Sequence, residues 1–321
     1  MTSSMKQIIA IALLLMCSSF SYAQRNNNNQ KQQTAVSKQK QNNSANAARQ
    51  RQLAEQRRKE TEERKEQERI ELEKKNALRW DDATKSLCYN GQTYPMIYVS
   101  GGTFTMGEKY DNSFYGEYSW NGEKMRDDRS QLLRKTLNSY YIGKYEVTQD
   151  LWEKVMGNNP SNTKGERKPV TNIDEDQCRN FISKLNSITG QIFRLPTEEQ
   201  WEFAARGGVK SQGYKYSGSN SLNTVGWYYE NSGNEMHDVG LKNPNELGIY
   251  DMSGNIMEWC ASMYGYEYWA NVNAGGVDYS TVVRGGHFVN DWNYCTTTKR
   301  DKRTHNVRNS TLGFRIVLIE E

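Results

Sequence analysis

The chain is poor in the residues on which most reactive sites depend. Its 321 residues include three histidines and five cysteines, and no two histidines are spaced as a His-Glu-x-x-His or His-x-x-x-His pair. Neither a Gly-x-Ser-x-Gly turn nor a glycine-rich phosphate-binding loop occurs. These absences exclude the common sequence signatures of zinc proteases, serine hydrolases and phosphate-loop nucleotide-binding proteins.

Long apolar runs are also missing. The longest, residues 8–16, is far shorter than the roughly 20 residues that a membrane-spanning helix needs. It follows Lys6 and precedes the small-residue cleavage signal of residues 21–23, so we expect a secretory signal peptide over residues 1–23 and a mature chain from Gln24. The chain is therefore predicted to be exported rather than transmembrane.

The destination after export remains open between the periplasm, the outer membrane and secretion from a bacterium. Lipidation would require a small residue before Cys17, where Met16 stands. The sequence therefore does not favour a lipid anchor at Cys17.

Two segments of biased composition follow the predicted signal. Residues 24–48 are rich in Asn and Gln and almost devoid of large apolar side chains, which predicts disorder. Residues 49–79 are mostly charged, with opposite charges four residues apart, as in Glu55 and Lys59. Their few apolar residues form no sustained heptad, so a single charged helix is favoured over a coiled coil.

The positive charge of the chain lies in this arm. Residues 24–79 carry 15 basic and 8 acidic side chains, whereas residues 80–321 carry 26 basic and 30 acidic ones. A basic arm can contact anionic lipid, nucleic acid or acidic glycan. Because acidic residues interleave with the basic ones, a solubilising spacer is favoured, and no specific nucleic-acid partner is expected.

Residues 80–321 have the length of one domain and show both helical and strand patterns. A helix is predicted after Thr148, a second after the capping-box pair Asp174 and Gln177, and a third after Thr197. Strands are predicted over residues 96–99, 140–145, 281–284 and 313–318. Little is periodic between residues 208 and 280, so we expect an α+β domain with long irregular loops.

Four motifs give this domain a family resemblance. They are the run Arg-Leu-Pro-Thr-Glu-Glu-Gln-Trp-Glu at 194–202, Gly-Asn-Ile-Met-Glu-Trp at 254–259, Arg-Gly-Gly-His-Phe at 284–288 and Leu-Gly-Phe-Arg at 312–315. In this order they resemble the formylglycine-generating enzyme (sulfatase-modifying factor) family. The resemblance implies a C-type-lectin-like core with long irregular loops, preceded here by the disordered or helical arm.

The resemblance also implies a changed catalytic site. Enzymes of the family use two cysteines that bind Cu(I), as soft thiolate ligands do. Aligned on Gly285–Gly286, the second falls on Cys295 but the first on Asn290, while His287 replaces a serine and Met257 a tryptophan. Copper binding and formylglycine generation are therefore not expected. A metal or redox site rebuilt from His287 and Cys295 is the alternative.

Four cysteines remain after removal of the predicted signal: Cys88, Cys178, Cys260 and Cys295. Export permits disulfides. Cys178 lies on the apolar face of the second predicted helix, which favours a buried free thiol. Cys260 follows the Gly-Asn-Ile-Met-Glu-Trp motif, and a structural Cys260–Cys295 disulfide stands as an alternative to two free thiols.

Family members also hold a cation in the loop of the Gly-Asn-Ile-Met-Glu-Trp motif. Carried over, the resemblance implies Ca²⁺ bound by Asp251, the carbonyls of Gly254 and Ile256, and the Glu258 carboxylate, all oxygen ligands that suit calcium. The alternative is a turn fixed by Asn255, with Glu258 in a salt bridge.

Two functions from different classes fit these patterns. Tyr, Trp and Asn residues crowd segments 213–231 and 263–294, as a cleft for an extended peptide or a sugar requires. The first hypothesis is a non-catalytic binding or assembly module of the bacterial cell envelope, with an envelope protein or extended peptide as partner. The second is an oxidoreductase centred on Cys295, because a fold alone does not fix function.

Overall fold

The computed structural model describes residues 3–108, 119–120, 123–124, 132–263 and 280–319. The chain divides into two compact units after Lys74. The predicted aromatic residues within 264–279 lie outside the described part of the chain.

The first unit is formed by helix α1, Ser3–Asn76, whose described side chains are almost all exposed. This helix includes residues 24–48, for which composition predicted disorder. The difference has a physical reason: a helix satisfies its backbone hydrogen bonds internally, and Gln, Ala, Lys and Arg are good helix formers that need no apolar partner. Among the described residues, no helix combines the length and apolar character needed to cross a bilayer.

In the part of the second unit that the structure describes there are four further α-helices: α2 (Gln149–Met156), α3 (Glu175–Thr189), α4 (Glu198–Ala205) and α5 (Leu222–Val225). The three predicted helices are confirmed. Asp174 and Thr197 each close a capping box with the glutamine three residues later. Gly157 ends α2 in a left-handed conformation, as expected for a helix C-terminus.

Three-dimensional pairing joins strands that are distant in sequence. A six-stranded antiparallel sheet has the order β1-β2-β3-β8-β14-β9, from Arg79–Asp81, Ser86–Tyr89, Gln92–Val99, Tyr140–Gly143, Val317–Leu318 and Phe193–Arg194. A four-stranded sheet has the order β12-β11-β10-β13, from Arg300–Thr304, Ser280–Arg284, Met257–Met263 and Leu312–Gly313. Two-stranded sheets pair β4 (Gly102–Met106) with β7 (Leu133–Leu137), and β5 (Ser119–Trp120) with β6 (Glu123–Lys124).

The α+β class is confirmed, and most predicted strands are found. The strand predicted over 313–318 differs, because it is split into β13 and β14 around Phe314–Ile316. Phe314 packs edge-on against Trp152 and Phe181, while the Arg315 side chain turns inward to a buried carboxylate. The break thus places both side chains in the interior and joins the two larger sheets.

The start of the second unit lies slightly earlier than residue 80. Leu78 is buried in the main apolar cluster, and Trp80, in β1, packs edge-on against Phe193 with ring centroids 5.7 Å apart. The folded domain therefore includes residues just before the predicted boundary at residue 80. The reason lies in tertiary contacts: Trp80 follows a charged run in the sequence but packs against Phe193, more than 100 positions away.

Truncation tests this boundary. A protein that begins at Lys75 is expected to unfold cooperatively, with a melting temperature within a few degrees of the full chain. One that begins at Asp81 loses Leu78 and Trp80, and we expect a loss of ~3 kcal/mol and about 6–12 °C. Thermal unfolding followed by circular dichroism compares them. Equal stability of the two truncations would show that Leu78 and Trp80 do not belong to the core.

Candidate functional site

The loop that follows β11 holds the predicted catalytic positions. It begins at Gly285 and Gly286, both in the left-handed region with φ of 95° and 69°. A Cβ on Gly286 would lie 2.8 Å from Cys295 Sγ, so only glycine lets the two chain segments approach this closely. The double glycine therefore folds the loop back on itself.

Asn290 closes a turn at the position where the family resemblance implies a cysteine. Its Oδ1 accepts a hydrogen bond from the His287 backbone N–H at 3.0 Å, and its own N–H donates to the His287 carbonyl at 2.8 Å. Its carbonyl accepts from the Tyr229 N–H at 3.0 Å. Asn290 thus fixes the loop and ties it to the segment around Tyr229.

Cys295 has the surroundings of a structural thiol. It is fully buried and packs with Tyr216, Leu222, Val225 and Tyr228. Burial raises the pKa of the Cys295 thiol to about 12. Because the thiolate is the form that binds metal and attacks substrates, a thiol in this environment is poorly reactive at neutral pH.

The His287 ring makes a hydrogen bond within its own turn. Its Nδ1 accepts a hydrogen bond from the Val289 N–H at 3.3 Å, and the charges of Arg303 and Asp301 act on its ring. Among the described residues, no group of three or more His, Cys, Asp or Glu side chains could hold a metal ion. The structure therefore brings His287 and Asn290 together in one turn.

His287 should make stability depend on pH. Burial lowers its pKa from 6.5 to about 4, and the nearby Arg303 acts in the same direction. Between pH 6.5 and 4 the unfolded chain binds a proton that the folded chain does not, so stability falls as the pH falls through this window. We expect His287→Gln to remove ~2–3 kcal/mol of that loss. Urea unfolding at pH 7 and pH 4.5 measures the loss of stability in the wild type, in His287→Gln and in a control, His305→Gln, at an exposed histidine. An equal loss of stability between the two pH values in all three proteins would contradict the assignment.

The Cys260–Cys295 disulfide is not formed, since all five cysteines are free thiols. Cys260 belongs to a different apolar cluster, together with Trp201, Met252 and Val282, whereas Cys295 packs with the tyrosines named above. Both thiols act as small apolar groups in separate parts of the interior. The position of Cys260 directly after the 254–259 motif did not reveal that the two thiols lie in separate clusters.

Two chain segments joined by the hydrogen bond from the Tyr229 N–H to the Asn290 carbonyl carry exposed side chains that we call the aromatic surface: Tyr214, Tyr229, Val289, Trp292 and Tyr294. Trp292 is 48% exposed and Tyr294 40%. Lys215 Nζ stands 4.1 Å from the centre of the Trp292 ring, and the Thr297 N–H donates to the Lys215 carbonyl. These contacts hold Lys215 beside the 292–297 segment, so the exposed side chains of the two segments lie in the same region of the domain.

Behind this loop, the predicted calcium ligand Glu258 is engaged by protein groups. Arg315 binds both its carboxylate oxygens at 2.6 Å, and Trp201 Nε1 donates to Oε2 at 2.7 Å. All three residues are fully buried. Glu258 is therefore the counter-ion of Arg315, which agrees with the salt-bridge alternative drawn from the sequence.

Two other carboxylates of this region form no salt bridge with any residue that the structure describes. Glu146 accepts from Asn255 Nδ2 at 3.0 Å, and Asp251 Oδ2 accepts from the Gly240 N–H at 2.7 Å. Burial raises the pKa of Glu146 well above its usual value and that of Asp251 to about 6. Asp251 Oδ1 is buried, and no described residue gives it a hydrogen bond.

The four calcium ligands that the resemblance implies therefore differ in their surroundings. Asp251 offers a free oxygen, whereas Glu258 is neutralised by Arg315. The turn fixed by Asn255 is present, because its Oδ1 accepts from the His237 N–H while its Nδ2 donates to Glu146.

Sequence reasoning missed Glu146, Trp201 and Arg315 as members of this buried cluster. One signal could have revealed Arg315: it interrupts an apolar run, Leu312 to Leu318, and a charge within a buried strand must be paired. Glu146 carries no comparable signal, since its partners lie more than 100 residues away.

An α+β domain with long loops, a double-glycine turn and a buried Arg–Glu pair defines a member of the formylglycine-generating-enzyme-like fold class. The chain belongs to the family of sulfatase-modifying factor enzyme 1-like domains, whose family model matches residues 83–319.

The curated relatives match only part of their own length. Chaperone protein LppX of Paenibacillus barcinonensis is 37% identical over 177 residues, 39% of this chain and 62% of that protein. The formylglycine-generating enzyme of Streptomyces coelicolor is 31% identical over 38% of this chain and 45% of its own. The inactive C-alpha-formylglycine-generating enzyme 2 of Bos taurus is 40% identical over 30% of this chain and 33% of its own. The chain thus matches less than two thirds of the length of each.

Solved structures share the fold over most of the chain. Treponema denticola variable protein 1 superimposes with a TM-score of 0.60 at 28% identity, and the match covers 73% of this chain and 98% of that one. PvdO from Pseudomonas aeruginosa superimposes with a TM-score of 0.55 at 22% identity, over 70% and 93% of the two chains. The predicted fold is confirmed by these similarities.

Proposed function

We propose that this protein is a non-catalytic binding or assembly module of the bacterial cell envelope, which holds an extended peptide or a protein segment on its aromatic surface. The observation that carries the proposal is the use of Asn290: where a catalytic pair needs a thiol, this side chain closes a turn through the His287 N–H. The position serves the loop's shape and supplies no ligand for Cu(I).

The state of Cys295 supports the same conclusion. A redox or copper site needs a thiolate, and this thiol is buried, with its pKa raised to about 12. A single thiol also lacks the second soft ligand that would make a copper pair. The alternative, an oxidoreductase centred on Cys295, draws on the formylglycine-generating relatives at about 31% identity.

The aromatic surface supports binding. Large rings that are half exposed at one place offer apolar area with few rotatable bonds, which is the usual chemistry of binding hot spots. Asn290 and the double glycine hold Val289, Trp292 and Tyr294 in a fixed loop, so little ordering entropy is lost when a partner binds. An extended peptide fits such a row of rings, and a sugar ring is the second ligand that stacks on them.

Two further parts of the proposal rest on the sequence. The predicted signal over residues 1–23 supports export to the periplasm, the outer membrane or the medium. The second part is calcium binding by Asp251 with the carbonyls of Gly254 and Ile256, which the family resemblance implies and the unpartnered buried oxygen of Asp251 supports. Glu258 is not proposed as a calcium ligand, because its carboxylate is paired with Arg315.

The binding function is tested by probing two arrays with the purified protein. One array carries unstructured peptides and the other carries neutral oligosaccharides. We expect micromolar binding to a subset of the peptides, weakened at least tenfold by Trp292→Ala combined with Tyr294→Ala. The matched control is Tyr98→Ala, an exposed ring on β3 at 51% exposure, which should leave binding unchanged. A protein that binds neither array would contradict the proposal. So would equal weakening of binding by the Trp292→Ala, Tyr294→Ala double variant and by Tyr98→Ala.

A further inference from the structure

The positive charge of helix α1 is concentrated in its middle third. Residues 24–54 contain six basic side chains and no Asp or Glu, since the first acidic residue of the arm is Glu55. The basic residues are Arg25, Lys31, Lys38, Lys40, Arg49 and Arg51. From residue 55 to 76 the helix has eight basic and eight acidic side chains, so that part is neutral. The net charge of the arm therefore lies in residues 24–54.

The ion pairs on the helix follow the same division. Lys59 pairs with Glu55 at 3.2 Å, Arg58 with Glu62 at 3.0 Å, and Arg69 with Glu66 at 2.6 Å. Within the described residues, none of the six cations of 24–54 has an acidic partner, and all six are exposed. Unpaired cations along one helix repel one another, and a bound polyanion would relieve that repulsion.

The six cations form two rows. An α-helix turns about 100° per residue, so Lys31, Lys38 and Arg49 fall within about 20° of one another. Arg25, Lys40 and Arg51 fall within about 80°, on roughly the opposite side. A flat anionic surface can reach only one row at a time, whereas a flexible chain can wind around the helix and reach both.

Magnitudes separate these two geometries. One cation near an anionic surface gains about fivefold in affinity, so one row gives about a hundredfold and two rows about ten-thousandfold. One row alone gives marginal membrane binding, and residues 24–54 offer no apolar face to add to it. A flexible linear polyanion is therefore favoured over a lipid bilayer.

The uncharged side chains distinguish among flexible polyanions. Residues 24–54 contain no Phe, Tyr or Trp, so they lack the rings on which nucleic-acid bases stack. Fifteen of these 31 residues are Asn or Gln, whose amides donate to and accept from hydroxyl groups. We propose that residues 24–54 form a binding site for a linear acidic polysaccharide, with both rows of cations pairing its carboxylate groups.

The test uses the full chain and polygalacturonate, a carboxylated polysaccharide, with neutral dextran as the negative control. We expect binding, and the logarithm of the association constant should fall linearly with the logarithm of salt concentration. Six cations predict a slope of about −4. Changing Lys31, Lys38 and Arg49 to Gln should halve this slope and weaken binding about a hundredfold. The same change at Arg25, Lys40 and Arg51 should have a similar effect.

A matched control removes three cations from the neutral part of the helix, with Arg58, Arg64 and Arg69 changed to Gln, and should alter binding by less than threefold. Circular dichroism confirms that the helix persists, since Gln is a good helix former. Equal effects of control and row variants, or an effect of one row only, would overturn the proposal. Tighter binding to phosphatidylglycerol vesicles or to poly-dT than to polygalacturonate would also overturn it.

This site is independent of the proposed peptide-binding function. Trp292→Ala with Tyr294→Ala should leave polygalacturonate binding unchanged, whereas the row variants should leave peptide binding unchanged. Failure of one function therefore does not remove the other.

Discussion

Replacing Glu258 with Ala is expected to lower the free energy of unfolding by about 3–5 kcal/mol, because it leaves the Arg315 guanidinium buried without its counter-ion. Both side chains are fully buried, and Arg315 also donates to the carbonyls of Gly143 and Tyr250, so it cannot reach water without disrupting the backbone around it. For a domain of this size the melting temperature should fall by about 10 °C.

Two companion variants keep that result interpretable. Glu153→Ala removes an exposed carboxylate from α2 and should change stability by less than about 0.5 kcal/mol. Glu258→Ala combined with Arg315→Met removes both charges, and we expect it to recover part of the loss, because an apolar pair often replaces a buried ion pair at small cost. A double variant less stable than Glu258→Ala would show that Arg315 has a role beyond neutralising Glu258.

The same melting experiments test the calcium proposal. With Asp251 as a ligand, calcium should raise the wild-type melting temperature by mass action, about 2.7 kcal/mol at a hundredfold excess over Kd, and chelator should reverse the change. Asp251→Asn should abolish this response. Glu258→Ala should remain destabilised in calcium and in chelator alike. A wild-type curve that chelator does not move would leave the buried carboxylates to be neutralised by protons alone.

Gly254→Ala is the second substitution with a large expected effect, a loss of more than ~3 kcal/mol. Gly254 adopts φ of 89°, and a Cβ there would lie 2.2 Å from the Trp227 carbonyl oxygen, so both strain and a backbone clash result. Gly248 is the matched control. It has φ of 87° but no atom within 4 Å of a Cβ, so Ala there should cost only ~1–2 kcal/mol. Urea unfolding compares the two, and equal losses would contradict the close approach of Gly254 to Trp227.

The sequence predicted best the features that depend on neighbouring residues. The capping boxes at Asp174 and Thr197, and the glycine end of α2, are set by chemistry within a few positions, and the structure confirms them. Ile188 shows the limit of this reasoning: it continues the apolar spacing of α3, yet it is 48% exposed. Periodicity defines a face of a helix but does not define how much of that face a distant segment covers.

The candidate site was predictable in position but not in chemistry. The motifs located the loop of His287, Asn290 and Cys295, and that loop carries the exposed rings of Trp292 and Tyr294. The partner of each buried side chain depends on tertiary contacts. Glu258 binds Arg315, and Glu146 binds Asn255, because distant segments meet in the folded chain. For the same reason the sequence left the disulfide open, although Cys260 and Cys295 lie in separate clusters.

The central claim of the proposed function is that Asn290 has a structural role at the position where the family's enzymes use a catalytic cysteine. Incubation of the purified protein with Cu(I), oxygen and a Cys-x-Pro-x-Arg peptide, followed by mass spectrometry of the peptide, tests this most directly. We expect no conversion of the cysteine to formylglycine and the same result with Cys295→Ser. Turnover at an enzymatic rate, on the order of one per second or even well below it, that disappears in Cys295→Ser would contradict the account and favour the oxidoreductase alternative.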